Sequence, residues 1–206
     1  MDDTDFDSAL IGAFFTLVAE QGWRRASVPA AARAAGLALA TARERFPCRA
    51  ALLTRFGRMV DQAALAAVPT EGLVRDRLFD LLMHRFDVLQ AHRGGVVAMM
   101  HALPFDPAAA MLLSCATRRS MRWMLEAAGA AAHGIRGELQ VRGLIAVWLW
   151  ALRAWEKDDS ADLSGTMAAL DAALARAAQA TAWLSSRRDA PEVDDPGPAE
   201  PPSGEA

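Results

Sequence analysis

The apolar residues of this chain recur every three or four positions, which is the spacing of one face of an α-helix. Phe6, Leu10, Phe14 and Leu17 give the first example. Strands would show β-branched residues alternating with polar ones between turn dipeptides, and that pattern is absent. Hydrophobic residues make up 53% of the 206 residues, which is enough to build a core. The sequence therefore predicts an all-α fold.

Glycines, prolines and short polar segments divide the chain into about nine predicted helices. These cover residues 6–21, 28–35, 38–45, 49–67, 72–91, 93–102, 107–128, 137–157 and 161–184. Ser27 and Ser160 are the expected N-caps of the second and last helices. Five of the ten prolines fall in 191–202 among acidic residues, and this composition predicts a disordered acidic tail. We expect three regions: 1–48, 49–186 and the tail 187–206.

The net charge of −3 conceals a strong segregation of charge along the chain. The segment from Arg24 to Arg58 holds eight arginines and one acid, Glu44, for a net charge of +7. The segment from Asp189 to Ala206 holds six acids and no base. A local positive surface within an acidic protein is typical of a face that binds phosphates.

Two short predicted helices meet at Gly36 inside this arginine-rich segment, which indicates a helix-turn-helix. In that motif the first helix supports the second, and the second enters the major groove of DNA. The first helix is rich in alanine, which allows the two helices to approach closely. Leu39, Ala40 and Ala42 offer no side-chain hydrogen bonds, so base readout is expected from Thr41, Arg43 and Arg45. The alternative is a corner of a helical bundle with a solvated arginine face.

The stretch from Ser27 to Leu52, SVPAAARAAGLALATARERFPCRAAL, resembles the tetracycline-repressor (TetR) family of transcriptional regulators. The residues that agree with the family pattern are Ala32, Ala35, Gly36, Thr41, Phe46, Pro47 and Leu52, and Gly22–Trp23 lies where the family ends its first helix. The resemblance implies an N-terminal three-helix DNA-binding domain over 1–48. It also implies an effector-binding and dimerisation domain over 49–186, and a repressor that a small apolar effector releases from operator DNA. Ala38 departs from the Ser or Thr that the family prefers as a cap, Arg43 replaces a tyrosine, and Arg49 replaces a lysine.

On this resemblance the expected partner is double-stranded operator DNA. The expected DNA-binding residues are Arg25, Ser27, Arg33, Leu39, Thr41, Arg43, Arg45 and Arg49.

The C-terminal helices carry the expected effector and dimer sites. Methionine-rich and aromatic helices suit a small apolar effector, although the same residues are typical of ordinary core. The expected pocket residues are Met99, Met100, His101, Phe105, Met121, Trp123 and Trp148. The last helix has an apolar seam with alternating spacings of four and three, which predicts a homodimer interface unless the seam packs within one chain. Its residues are Leu163, Met167, Leu170, Leu174 and Thr181.

A second resemblance gives an alternative function. The run from Trp155 to Ser160, followed by Thr166, Leu170 and Asp171, resembles the C-terminal signature of the lipid-binding accessory protein family of ubiquinone biosynthesis, and Gly22–Trp23 and Leu103–Pro104 are similar to it as well. That family shares the fold but is not known to regulate through DNA. The alternative is therefore a non-DNA-binding protein that binds a lipid or isoprenoid.

Several functions are not expected from the sequence. The four histidines lack metal-ligand spacing, and no nucleophile–base pair or phosphate loop stands out, so we expect no metal, no cofactor and no enzyme activity. The acidic N-terminus is unlike a signal peptide, and the apolar run Gly143–Leu152 is half as long as a membrane span. With only two distant cysteines, Cys48 and Cys115, these features predict a cytoplasmic protein without a membrane partner.

Overall fold

The computed structural model describes residues 2–67 and 71–186, and these ranges contain nine α-helices, one 3₁₀ turn and no strand. The helices are α1 Asp3–Gln21, α2 Val28–Ala34, α3 Leu39–Arg45, α4 Arg49–Ala66, α5 Val74–Gln90, α6 Arg93–Ala102, α7 Pro107–Ala127, α8 Gly134–Lys157 and α9 Ser164–Ser186. The 3₁₀ turn, Leu103–Phe105, joins α6 to α7. The predicted all-α fold is confirmed. The predicted tail, 187–206, lies outside the described residues.

Polar caps and glycines set the ends of the first helices, as the sequence predicts. The Asp2 carboxylate accepts a hydrogen bond from the Asp5 amide at 2.7 Å and begins α1. The Ser27 hydroxyl oxygen accepts one from the Ala30 amide at 3.3 Å and begins α2. Gly36 follows α2 with a φ of 66°, a left-handed conformation that glycine adopts without steric cost. Gly36 therefore permits the sharp turn between α2 and α3.

Four helix starts differ from the sequence predictions by two residues or more. α1 begins at Asp3 instead of residue 6, and α5 begins at Val74 instead of residue 72. α8 begins at Gly134 instead of residue 137, and α9 begins at Ser164 instead of residue 161, so Ser160 is not the N-cap of α9. The carboxylate of Asp158 instead accepts hydrogen bonds from the Thr166 amide at 2.6 Å and from the Thr166 hydroxyl at 2.7 Å. Because Asp158 binds the first turn of α9 directly, the residues between them form a loop. Ser160 Oγ then only supports the turn, accepting a bond from the Ser164 amide at 3.1 Å.

The helices pack around one continuous core that extends from α1 to α9. α1 crosses α6 so closely that a Cβ atom at Gly95 would lie 2.3 Å from the carbonyl oxygen of Phe15. We call α1–α3 the head and α4–α9 the body. The predicted domain boundary at residue 48 falls between them, and it stays a prediction because the buried side chains continue across it.

Candidate nucleic-acid interface

Small side chains bring α2 and α3 together in the head. Ala31, Ala32 and Ala42 are at most 1% exposed, so the two helices touch through alanine methyl groups. The backbone amide of Leu37 donates to the carbonyl oxygen of Ala32 at 2.8 Å and closes the turn. Phe46, just after α3, is also buried. The first helix of the pair thus supports the second, which is the arrangement of a helix-turn-helix.

A buried carboxylate holds α3 in place from behind. Asp7 on α1 is 2% exposed; it accepts a hydrogen bond from Arg45 Nε on α3 at 2.8 Å and from Arg55 Nε on α4 at 2.6 Å. Burial alone would raise the pKa of Asp7, but the hydrogen bonds from these two arginines outweigh it and the pKa is lowered. Arg45 also pairs with Asp3 at 2.6 Å. Its hydrogen bonds to Asp7 and Asp3 raise the pKa of Arg45.

This ion-pair network changes the expected charge of the interface. Arg45 was expected to read base edges, yet its guanidinium binds α1 and its side chain is only 25% exposed. Asp7 also neutralises part of the charge of Arg55. The positive surface is therefore smaller than the +7 counted along the sequence. An acid at position 7 on the apolar face of α1 is the sequence signal for a buried partner of this kind.

The remaining expected residues differ in their exposure. Arg25, Arg33 and Arg43 are exposed, and Arg43 Nη1 donates to the carbonyl oxygen of Pro47 at 2.7 Å. Arg49 donates to the Trp23 carbonyl oxygen at 2.9 Å, with its guanidinium 4.8 Å from the centre of the Trp23 ring. Ser27 and Thr41 are half-buried, and Leu39 is 44% exposed. A depression of about 320 Å³ between α2 and α3 is lined by Arg33, Leu39 and Arg43 with their neighbours.

A contact that the sequence did not predict joins the head to the body. Trp23 Nε1 donates to Asp106 Oδ2 at 2.9 Å, and Asp106 Oδ1 accepts the Ala109 amide at 3.0 Å as the N-cap of α7. The hydrogen bond from Trp23 and that from the Ala109 backbone lower the pKa of Asp106. A cleft of about 450 Å³ lies beside this contact, with Arg24 and Phe105 in its lining. The Asp-Pro pair at 106–107 is recognisable in the sequence as a helix start. The hydrogen bond from Trp23 is not, because the two residues are far apart along the chain.

The body contains a buried polar network that the sequence also did not reveal. Arg85 on α5 is 7% exposed and donates to Asp61 on α4 and to Ser120 on α7. Ser120 Oγ donates to Asp61 Oδ1 at 2.6 Å. The Arg85 guanidinium lies 4.8 Å from the centre of the Trp148 ring of α8. Burial lowers the pKa of Arg85, while the charge of Asp61 opposes that shift. Four helices of the body therefore meet at one ion pair.

The expected effector residues are divided between the core and the surface. Met99, Met121 and Trp148 are buried, and Trp148 stacks on Phe86 with ring centres 4.7 Å apart. Met100 is half-buried. Exposed positions are occupied by His101, Phe105 and Trp123, and His101 pairs with Glu156. An effector pocket made of these seven residues stays a prediction.

The expected dimer seam is largely buried inside the chain. Leu163, Leu170 and Leu174 are at most 6% exposed because α9 packs them against α8 and α5. Met167 is 41% exposed, and the side chain of Thr181 lies outside the part that the structure describes. The buried leucines are therefore not available to a partner chain. These three leucines pack within one chain, as the alternative to a dimer contact had it, and the homodimer itself stays a prediction.

α8, whose sequence is apolar on nearly all sides and which was expected to share the dimer interface with the last helix, presents exposed apolar residues. Leu139, Leu149 and Trp150 are each about half exposed, and Gly143 and Ala146 lie exposed between them. Leu139, Gly143, Ala146 and Trp150 follow one another at spacings of four, three and four, which places them on one helix face. We call these four residues, together with Leu149, the α8 face.

Within residues 2–67 and 71–186 no single helix is long and apolar enough to cross a membrane. α6 with the 3₁₀ turn reaches that length and apolarity only together with α7, and this pair is bent by 117°. No group of three or more His, Cys, Asp or Glu side chains in these two ranges is arranged to hold a metal ion. Cys48 and Cys115 are free and exposed.

Comparison with known proteins gives matches only at the level of structure. No protein-family model and no curated protein matches the chain. A TetR transcriptional regulator from Nitrosomonas europaea aligns with a TM-score of 0.69 and 19% identity, covering 85% of this chain and 99% of that one. A tetR-family regulator from Streptomyces coelicolor gives 0.61 and 22%, with 95% and 93% covered. GusR of Salmonella enterica gives 0.60 and 20%, with 87% and 98% covered.

These comparisons support the resemblance to the TetR family and not the resemblance to the lipid-binding accessory protein family. Two of the three structures are described as TetR transcriptional regulators, and none is described as a lipid-binding accessory protein, so the lipid-binding alternative is not favoured. The chain has the all-α fold of TetR-family transcriptional regulators.

Proposed function

We propose that this chain is a homodimeric, cytoplasmic DNA-binding regulator without enzyme activity, and that it represses transcription until a small apolar effector releases it from its operator. The observation that carries the proposal is the exposed side of α3. Leu39, Ala40 and Arg43 face solvent there, while Asp7 holds the helix from behind through Arg45. A short helix that is fixed on one side and exposed on the other fits the major groove.

Phosphate contacts in this proposal come from Arg25, Arg33 and Arg43. All three are exposed, and none is paired with an acid among the described residues. Arginine has five donors, so Arg43 retains free N–H groups beside its bond to Pro47. Arg49 fixes the start of α4 against Trp23 and adds positive charge near the same surface. Such contacts orient a protein on DNA and contribute little sequence information.

Salt dependence tests these phosphate contacts. After a binding site is selected from a random duplex library, affinity is measured by fluorescence anisotropy across a range of salt concentrations. Each phosphate contact contributes about 0.9 to the slope of log K against log salt. A dimer loses two contacts per substitution, so Arg33→Gln and Arg43→Gln are each expected to reduce the slope by about 2.

Arg119→Gln is the matched control, because Arg119 is an exposed arginine on α7 in the body. It is expected to leave the slope unchanged. Selection that enriches no sequence, or equal slopes for all variants, would contradict DNA binding by this surface.

The dimer is proposed to form through the α8 face rather than through the predicted seam of α9. Its central glycine and alanine allow another helix to approach closely, and its outer residues supply exposed apolar area. Met167 on α9, at 41% exposure, is the one residue of the predicted seam that is free to join this contact among those the structure describes. Two heads held apart by a two-fold axis match two half-sites of an operator.

Substitution of Leu139 tests the interface. Leu139→Asp places a charge on the α8 face and is expected to give a particle of 22.1 kDa by sedimentation velocity, whereas the unmodified protein has twice that mass. Met111→Asp is the control because Met111 is 70% exposed on α7. If Leu139→Asp remains a dimer, the interface lies elsewhere.

The effector is proposed to act on the body through α4. This helix begins beside the head at Arg49 and carries Asp61 into the buried network with Arg85. A molecule that enters next to Trp148 or Met121 disturbs this network, because a buried arginine separated from its carboxylate partner leaves an uncompensated charge in the interior. A displaced α4 would then move the head.

Reciprocity between the two ligands tests the effector proposal. An apolar molecule found to raise the melting temperature of the free protein is expected to weaken operator binding by some factor. Operator DNA must weaken binding of that molecule by the same factor. Molecules that stabilise the protein without changing its operator affinity would contradict release by an effector.

A further inference from the structure

We propose that this protein recognises its operator through the 5-methyl groups of thymine, which contact Leu39 and Ala40 of α3. The inference rests on the proposed function, since it concerns how the same helix would read DNA. It replaces the base readout by arginine that the sequence suggested. The bases that it selects are those that carry a methyl group in the major groove.

The first step is that the first turn of α3, residues 39–42, holds a single hydrogen-bonding side chain, that of the half-buried Thr41. Arg45 binds Asp7 and Asp3, so its guanidinium faces α1. Arg43 lies in the second half of α3 and donates to Pro47 beyond the helix end. Ala38 and Ala40, which are both exposed, have no polar side-chain atom. No arginine lies in the first turn of α3, so we do not expect an arginine to read bases from that turn.

The second step is that the first turn of α3 exposes apolar surface. Leu39 is 44% exposed although it lies on a surface that is otherwise rich in arginine. Its side chain lines the depression between α2 and α3 together with Val28 and Pro29. Ala40 follows it on the outer side of the helix, away from the buried Ala42. An exposed leucine next to an exposed alanine forms a compact apolar contact surface.

The third step is the match between this apolar surface and the base edges in the major groove of DNA. Among the four bases only thymine presents a methyl group in the major groove, and apolar side chains are its natural partners. Residues 43–45 at the end of α3 are all charged, with Glu44 between Arg43 and Arg45. The exposed apolar surface of α3 is therefore confined to its first turn, which favours a thymine-bearing half-site.

The experiment begins with selection of a binding site from a random duplex library by the full chain. Each thymine of the selected site is then replaced by deoxyuridine, which removes the methyl group and keeps the base pair. Burial of one methyl-sized group contributes about 0.8 kcal/mol, so removing it at a contacted thymine is expected to weaken binding about fourfold. Replacement in both half-sites of a symmetric operator is expected to weaken binding about 15-fold.

A protein variant assigns the effect to Leu39. Leu39→Ala is expected to bind the thymine site more weakly and to lose most of the further penalty for deoxyuridine at the contacted position. Leu73→Ala is the matched control, since Leu73 is an exposed leucine in the body before α5. It should keep the full penalty. Circular dichroism confirms that both variants fold.

A third duplex separates the methyl group from the base pair. At the contacted position a 5-methylcytosine–guanine pair is expected to bind about fourfold more tightly than a cytosine–guanine pair. Enrichment of a sequence followed by equal affinity for thymine and deoxyuridine would overturn this inference and leave the proposed function standing. Failure to enrich any sequence would overturn the proposed function itself.

Discussion

Replacing Asp7 by asparagine is expected to destabilise the head, because the Asp7 carboxylate joins α1 to both α3 and α4. Asparagine has nearly the same shape, so the change removes the charge without leaving a cavity. The Arg45 and Arg55 guanidinium groups then lose their anionic acceptor. We expect a lower melting temperature by circular dichroism at pH 7, with helix content unchanged below the transition.

The loss in free energy of unfolding on Asp7→Asn comes from two hydrogen bonds that arginines donate to the carboxylate. A hydrogen bond to a charged group contributes about 1.5–3 kcal/mol. Both arginine side chains are about one-quarter exposed, so water compensates part of the loss. One amide oxygen still accepts from one arginine. We therefore expect a loss of about 2 kcal/mol in the free energy of unfolding. For a chain of this length that corresponds to a fall of about 4–8 °C in melting temperature.

The stabilisation that Asp7 provides is expected to depend on pH. The pKa of Asp7 is lowered in the folded protein from the ordinary value of 3.8. Its stabilisation is therefore fully present above pH 3.8 and is lost as the pH falls from there through the lowered folded value. Asparagine does not titrate. The difference in melting temperature between the two proteins should therefore be constant from pH 7 to about pH 5 and shrink at lower pH.

Asp87→Asn is the matched control, because Asp87 is an exposed aspartate of α5. It should leave the melting temperature nearly unchanged. The reasoning is refuted if Asp7→Asn melts like the control, or if its difference from the unmodified protein does not depend on pH in the acid range.

Two shorter predictions concern helix contacts in the body. Gly95→Ala is expected to cost at least about 1–3 kcal/mol in urea unfolding, because the new Cβ would overlap the backbone of Phe15. Gly57→Ala meets no atom within 4 Å and should instead stabilise α4 by up to about 1 kcal/mol; similar losses in both variants would contradict the close approach at Gly95. Asp158→Ala should lower the melting temperature and speed amide exchange in the first turn of α9, because hydrogen bonds from Ser160 and Thr166 keep the pKa of Asp158 well below its usual range. Asp159→Ala, at an exposed side chain, should do neither.

The sequence predicts the helices well because their signals are local. Ser27, Gly36 and Pro47 act within one turn of their own position, so the bounds of α2 and α3 follow from short-range chemistry. The predicted start of α9 was wrong for the same reason. Asp158 accepts a hydrogen bond from the backbone amide of Thr166 in the first turn of α9, eight residues further along the chain, and short-range rules give no signal over that separation.

The candidate site was harder to predict because its charges pair across the fold. A count along the chain treats Arg33 and Arg45 alike, whereas the structure leaves Arg33 exposed and pairs the half-buried Arg45 with Asp7. Periodicity likewise cannot tell a helix seam that meets a partner from one that meets a neighbouring helix. Leu170 shows the difference, because its spacing fits both and its burial is complete.

The position of the Asp7 contact has a practical consequence for engineering. The contact that holds α3 against α1 is made by Arg45, near the end of α3. The side chains proposed to select bases, Leu39 and Ala40, lie in its first turn. The two sets do not overlap. We therefore expect that variants retargeted to new sequences can be obtained by randomising positions 39–41 alone, with no compensating change in the rest of the protein.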